Sequence, residues 1–518
     1  MTVPDSSAEA GAGLPPNPAA AEIGLTEGSN RQSGLFGRGL LYVVVFSFQT
    51  LAATIVSPVL AHLIGPEEFG RLASAIALYQ LLSVLCVLGL DQALVIQRAE
   101  DGDSRSARSL IAISFALTTA VVLVTALTSP LWSEAFGFTS SSSLLVATFL
   151  WTGPGAAVQV MLSMLLSEDR LKVFTVVSAI SAIGGQLVGV LLLVLVSRDA
   201  TTYAWGGVAS QFAAMAIGIV ITRPRPRGLL DLRLARRALT LGAPLAVGAI
   251  AAFVLNAGDR IVIQRLLGPA EVGRYQVAYT VGYVVVLLMV FVSQAWTPRF
   301  AAIRDREERL ALAETARNEL YRLLLPLVLG ISLGAPLALR VFAPASFAPE
   351  TLTLVVFLVA VSAFPVAASG ASGRELITLR RGRSIAAVAC IAAVVNIGLN
   401  LLLVPRFGIE GSAAATVLAF GLTALLQARC LPRSPRWPRT SGRMALAILG
   451  CCLFAAVTTQ LPQTSGWIIA RMVLGLACVP WLLHRLRIAR NPPPEIASAP
   501  GAESSTADAL PSGRPTEG

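Results

Sequence analysis

Apolar residues in this chain come in long runs separated by short polar connections. From residue 39 onward the runs are 39–64, 72–96, 109–132, 143–167, 172–197, 201–222, 239–267, 275–298, 318–342, 351–372, 384–404, 410–429, 443–460 and 466–486. Most reach the roughly 20 residues that a helix needs to cross a bilayer. None shows the strict alternation of a barrel strand with one face in lipid. The pattern predicts an all-α polytopic membrane protein with fourteen transmembrane helices.

The connections carry the charge. Basic residues fall mainly on every second connection, counted from the N-terminal flank. Thirty lie on that set and six on the other. Basic residues stay in the cytoplasm, so both termini are expected there, in a bacterial inner membrane. The net charge of +11 is explained by this alternation, without nucleic acid. Residues 1–38 and 487–518 read as disordered cytoplasmic tails, poor in apolar residues. Two inner connections are expected along the membrane surface: 223–238, a proline break followed by a short basic amphipathic segment, and 299–317, which is charged and helix-favouring. They read equally as plain basic linkers or as contacts for lipid phosphate.

A repeat organises the helices. At an offset of 203, Gly65, Pro66, Glu68, Gly70 and Arg71 fall on Gly268, Pro269, Glu271, Gly273 and Arg274. The copies are six runs apart, which predicts two parallel six-helix bundles, 39–222 and 239–429, with 430–486 as helices outside the repeat. The turn is mainly structural. Glycine closes one helix in the left-handed conformation, proline opens the next, and the acid sits at its positive end.

Little in the chain carries catalytic or metal chemistry. The six cysteines lie in or beside apolar runs without ligand spacing, and the two histidines, His62 and His484, are far apart. The connections on the outer side are short. No enzyme activity, cofactor or metal is expected. The candidate site is a charged pair inside a run: Asp259 and Arg260, roughly 12 Å from the outer end of their helix. Intramembrane charge faces the protein interior and is usually functional. Asn256 and Gln264 share the face of Arg260, while Asp259 is turned about 100° away and is expected to partner another helix. One reading is an ion pair locking two helices; the other is a cavity wall that binds an anion. The repeat partners Val56 and Ser57 lack these charges, which favours the second. Asp91, Asn396 and Asn400 are candidates for gating or coupling. Gln276, Tyr279 and Tyr283 read as helix–helix hydrogen bonders, and Arg322 and Arg471 as arginines snorkelling from helix ends.

Four stretches, LIGPEEFGRLA at 63–73, GLDQALV at 89–95, DRIVIQRLLGPAEVGRY at 259–275 and NIGLNLLLVPRFGIEGSAAAT at 396–416, occur in an order that resembles the Wzx-type polysaccharide flippases of the multidrug/oligosaccharidyl-lipid/polysaccharide exporter superfamily. The resemblance implies two bundles in a V around a central cavity. It implies an undecaprenyl-diphosphate-linked oligosaccharide carried to the outer leaflet by alternating access, for O-antigen, capsule or exopolysaccharide synthesis. It also implies a polysaccharide polymerase and glycosyltransferases as partners. Arg260 matches the cavity cations that such proteins direct at the diphosphate. The related lipid II flippases have two extra C-terminal helices, placed around the lipid tail, which 430–486 would match. They also have cavity arginines in the first span, which this chain lacks: Arg31 and Arg38 stand at or before the membrane edge. A lipid II flippase and a cation-coupled drug or metabolite exporter are the alternatives.

Overall fold

The computed structural model describes Ala52 and residues 54–102, 104–139, 142–294, 300, 303–432 and 440–490. The expectations for the N-terminal tail, for the beginning of the first run and for most of the C-terminal tail lie outside these residues. In chain order the helices are α1 (Thr54–Leu63), α2 (Pro66–Val87), α3 (Leu90–Asp101), α4 (Arg105–Leu127) and α5 (Ser143–Ser167). Then come α6 (Leu171–Leu195), α7 (Ala200–Thr222), α8 (Leu232–Leu267), α9 (Pro269–Gln294) and α10 (Arg306–Phe342). The last are α11 (Pro349–Thr378), α12 (Gly382–Cys430), α13 (Gly442–Thr459) and α14 (Ser465–Arg490). No strand occurs among the described residues. Among the described residues, twelve helical segments are long and apolar enough to cross a membrane, with α2 and α3 counted as one.

One of these segments is two helices. At 49 residues, α12 would be about 74 Å long if straight, more than twice the hydrocarbon core. Gly408 breaks it with φ 58° and ψ −143°. Across the break, Ser412 donates its hydroxyl to Asn400 Oδ1 at 2.7 Å. Residues twelve apart on a straight helix would be separated by roughly 18 Å, so the chain folds back on itself. Asn400 is fully buried, and its Nδ2 also donates to the Asn396 carbonyl at 2.9 Å. Asn400, one of the candidates for gating or coupling, is tied across this break to Ser412, and the other candidate, Asn396, bonds to Asn400 one turn away.

The repeated turns meet each other. A Cβ on Gly70 would overlap the Pro269 carbonyl, and a Cβ on Gly273 would overlap the Pro66 carbonyl. The contact is reciprocal: equivalent glycines let α2 and α9 cross backbone to backbone. Gly268 has φ 89° and ψ 173°, a region essentially reserved for glycine but not the expected left-handed helical one. Gly65, with φ −70°, needs no such freedom. The charged residues of each turn hold its surroundings. Glu68 accepts the Ala200 amide of α7 at 2.9 Å, and Arg274 donates to Thr351 Oγ1 at 2.6 Å. A buried core around this end joins Phe69 and Tyr275 to Phe347 and Ile409. Two further cores fill the bundles, one around α3, α4 and α5, the other around α9, α10 and α11.

At the opposite, arginine-rich end a second pair of glycines meets. Leu88 and Gly89 take positive φ, separating α2 from α3. A Cβ on Gly89 or on Gly242 of α8 would run into the other residue's backbone. Beyond this contact Arg237 of α8 is paired with Glu100 of α3 at 2.7 Å.

Two surface expectations are corrected. α10 begins at Arg306, well before residue 318, and Arg309 and Arg317 are buried in it. Glu375 of α11, itself buried, accepts from Arg309 Nε at 3.2 Å. The buried acid turns what would be a surface helix inward. Arg471 of α14 does not snorkel; it is 2% exposed and donates through Nη2 to the Ser332 carbonyl of α10 at 3.0 Å. That carbonyl is free because its helical donor would be the amide of residue 336, a proline. Gly330 and Gly475 face one another at this crossing at ordinary van der Waals spacing.

Two tests follow from this packing. Gly70→Ala and Gly273→Ala each force a methyl against a carbonyl and should lower stability in detergent by about 1–3 kcal/mol. Gly65→Ala, with no atom within 4 Å, should melt like the parent; equal melting of all three would rule out a tight crossing. Arg471→Met should cost more stability when residue 336 is proline than in a Pro336→Ala background, by about 1 kcal/mol or more. Additive losses in the double-mutant cycle would refute the carbonyl assignment.

Candidate functional site in the α8–α9 hairpin

Asp231 caps the start of α8 by accepting the Leu234 amide at 3.0 Å. The helix runs to Leu267, and Pro269 opens α9 after the single residue Gly268. So short a connection makes α8 and α9 antiparallel neighbours. Residues equally far from Gly268 then face one another. Arg260 lies opposite Gln276, and Asp259 lies beside Tyr275 and the next turn of α9.

The geometry follows from that register. Asp259 and Arg260 are both buried. Arg260 Nη1 donates to Asp259 Oδ1 at 2.7 Å and to the Asn256 carbonyl at 2.7 Å. Its Nε donates to Gln276 Oε1 at 3.0 Å. Its guanidinium lies over the Tyr279 ring, 4.2 Å from the centroid, a cation–π contact. Asp259 Oδ2 accepts the Tyr275 hydroxyl at 2.6 Å. Oδ1 also accepts the Arg260 amide at 2.9 Å. The expected turn of about 100° between the two side chains does not keep them apart, because the long arginine stem curls back toward Asn256. Asp259 does reach another helix, through Tyr275, but its charge partner is its own neighbour.

The other candidates are distributed. Asn256 is exposed, and its Nδ2 donates to the Ala252 carbonyl at 2.7 Å. Its backbone, not its amide, touches Arg260. Gln264 is engaged at both ends: Oε1 accepts Ser74 Oγ of α2 at 3.0 Å, and Nε2 donates to the Gly137 carbonyl at 3.1 Å. It stands as a tie between α8 and the first bundle, one turn beyond Arg260. Asp91, at the start of α3, is two residues from the Gly89–Gly242 contact and bonds to Gln92 at 3.1 Å; it does not join Arg260. Tyr275 is the partner that the sequence reading missed. Its signal is the spacing Tyr275, Tyr279, Tyr283, one face of α9, along which the second and third rings stack at 5.2 Å.

A guanidinium with a carboxylate beside it, inside a membrane helix, is a neutral unit with an anion-binding half. Arg260 offers hydrogen bonds and charge to an anion; Asp259 occupies that role here. The group Asp259–Arg260–Gln276 has no metal-binding character, and no cluster of three or more metal-ligating side chains occurs among the described residues.

Residues 36–304, just over half of the chain, match the model of a family described as polysaccharide biosynthesis protein. The succinoglycan biosynthesis transport protein ExoT of Rhizobium meliloti (strain 1021) is 25% identical over 295 residues, 56% of this chain and 58% of that protein. The probable flippase AglR of Haloferax volcanii is 24% identical over 403 residues, 74% of this chain and 81% of that one. Among solved structures, a lipid II flippase MurJ in an inward closed conformation aligns with a TM-score of 0.64 at 15% identity, covering 86% of this chain and 99% of that chain. An inward-facing multidrug resistance MATE family transporter of the MOP superfamily aligns with a TM-score of 0.55 at 13% identity, covering 79% of this chain and 95% of that one. At such identities the structures show a shared fold alone. The matched segment contains α1 through α9, both repeated turns and the Asp259–Arg260 pair, and the chain belongs to the polysaccharide biosynthesis protein family.

Proposed function

We propose that this chain is a flippase that carries an undecaprenyl-diphosphate-linked oligosaccharide across a bacterial cytoplasmic membrane for surface polysaccharide synthesis. The observation that carries the reading is Arg260, a buried cation in a membrane helix whose only carboxylate partner among the described residues is the adjacent Asp259. Relatives named for succinoglycan transport and as flippases support the substrate class. The architecture in this reading is fourteen helices: α1 as the end of the first, α2–α3 as the second, and α12 as two. The bundles 39–222 and 239–429 are parallel repeats, a reading supported by the reciprocal Gly70–Gly273 contact. Both termini lie in the cytoplasm, and a polymerase and glycosyltransferases act before and after the transfer.

In the closed form Asp259 stands in for the diphosphate. Removing a partner from a buried charge costs about 3–5 kcal/mol, so Arg260 must be handed from one anion to another. Opening at the arginine-rich end separates Gly89 from Gly242 and Glu100 from Arg237. The diphosphate then replaces Asp259 at the guanidinium, and Tyr275 and Gln276 keep the released carboxylate and the cation in place. Opening at the other end separates Gly70 from Gly273 and lets the headgroup out, while the lipid tail stays in the bilayer. Gln264 and Asp91 act at the two closures, not on the diphosphate. The absence of charge in the described part of α1 separates this site from that of a lipid II carrier.

Deletion of the gene should abolish surface polysaccharide and accumulate lipid-linked precursor. Arg260→Ala should fail to restore export, with at least a tenfold loss, and Arg260→Lys should restore little, since a lysine lacks the planar fork. Full export by an Asp259→Ala, Arg260→Ala double variant would eliminate the site. In a cysteine-free background, Glu100→Cys and Arg237→Cys joined by a short thiol crosslinker should stop export, and reduction should restore it. Unchanged export when crosslinked would disprove opening at that end.

A further inference from the structure

The linker between the two bundles is not a free strap. Arg223 ends α7 in a left-handed conformation, φ 49°, and turns the chain. The Arg225 amide then donates to the Arg108 carbonyl of α4 at 3.1 Å. A short 3₁₀ turn, Pro226–Leu230, follows. Gly228 in it is buried so closely against Ser109 that a Cβ would lie 2.7 Å from the Ser109 Cα. These contacts dock the linker on the first bundle.

Docking frames an open pocket of about 510 Å³ lined by Ser104, Arg105, Arg108 and Arg225. Three arginines line it, Arg105 and Arg108 of α4 and Arg225 of the linker, more than a hundred residues further along the chain. The nearby acid Glu168 accepts Ser104 Oγ at 2.7 Å and lies 3.7 Å from Arg170. Neither Arg108 nor Arg225 has an ion-pair partner among the described residues, and Arg108 Nε is buried without a hydrogen-bond partner. Dispersed basic residues, as the positive-inside rule requires, need not share a pocket. The same turn exposes leucines beside it: Leu229, Leu230 and Leu232 are 46%, 85% and 77% exposed. Leucines beside arginines are the composition of a segment lying in the headgroup region.

We propose that this pocket binds the phosphate of a lipid headgroup in the leaflet at the arginine-rich end, and that it is separate from Arg260. Guanidinium forks match phosphate oxygens. The leucines set the depth of the site at the lipid interface, which selects a lipid phosphate over a dissolved one. Two lipids supply that chemistry, an anionic phospholipid and the diphosphate-bearing carrier lipid before transfer. Because the pocket exists only while the linker is docked, an occupant ties the linker to α4 and so bears on how the bundles move.

The test uses the full-length protein in detergent and native mass spectrometry with added phosphatidylglycerol, undecaprenyl diphosphate, phosphatidylcholine or inorganic phosphate. The parent should retain one additional phosphatidylglycerol or undecaprenyl diphosphate at concentrations where phosphatidylcholine is not retained. Arg108→Gln with Arg225→Gln should weaken this at least tenfold. Arg233→Gln, exposed at the start of α8 and outside the pocket, should not. Gly228→Ala keeps every charge but forces the linker off Ser109, and should weaken binding like the arginine double variant. Melting curves of each variant show that it is folded, and the arginine variants carry the test if Gly228→Ala is not. Displacement of one lipid by the other identifies the natural occupant. Equal retention of phosphatidylcholine, displacement by inorganic phosphate alone, or an equal loss in Arg233→Gln would each overturn the proposal.

Discussion

A bilayer interior offers no water to a stranded polar group, and each buried one must find its partner inside the protein. Much of the distinctive packing in this chain answers that constraint. Arg260 takes a carboxylate, a carbonyl, an amide oxygen and an aromatic face. Glu375 takes Arg309. The Ser332 carbonyl, deprived of its helical donor by Pro336, takes Arg471 from a helix that otherwise faces lipid. Asn400 and Ser412 satisfy one another across a hairpin. In each case the polar bond fixes which two helices touch and at what level.

Glycine sets where the bundles can close. The two meeting points, Gly70–Gly273 and Gly89–Gly242, bring backbone against backbone with no side chain between. Close approach of this kind is how membrane helices gain packing without a hydrophobic driving force. One of the two joins matched positions of the recurring GP-x-E-x-G-R turn. The other joins a helix break in α2–α3 to an unbroken α8. The two ends of the interface are thus built differently.

The helical segments, the repeated turn and the charged pair were all legible in the sequence. Each rests on a strong local signal: long apolar runs, five matched residues, and charge where charge is expensive. What the sequence hid depends on distance in space. The proximity of Asp259 to Arg260 invited the argument from helix angle, which treats side chains as spokes and overlooks the reach of a guanidinium. Asn396 and Asn400 gave the spacing of a shared face but not that Ser412 would return to meet it. Residues 299–317 had the composition of a surface helix; only the position of Glu375, on another helix, draws Arg309 inward. Arg471 lies near a helix end, where snorkelling is the default, and the vacancy left by Pro336 on α10 reverses that default. Gln264 looked like a companion of Arg260 because it shares its face, yet its partners come from the first bundle.

The placement of Asp259 next to Arg260 on one helix has an electrical consequence. Moving a single charge through the membrane field involves about 2.3 kcal/mol per 100 mV. A cation whose counter-ion sits on another helix would feel that field whenever the helices part. Here both charges are fixed to α8 and travel together as a short dipole of zero net charge. In the proposed transport cycle, the empty carrier then reorients with almost no electrical work at this site, and the membrane voltage acts on the loaded form through whatever charge the cargo adds.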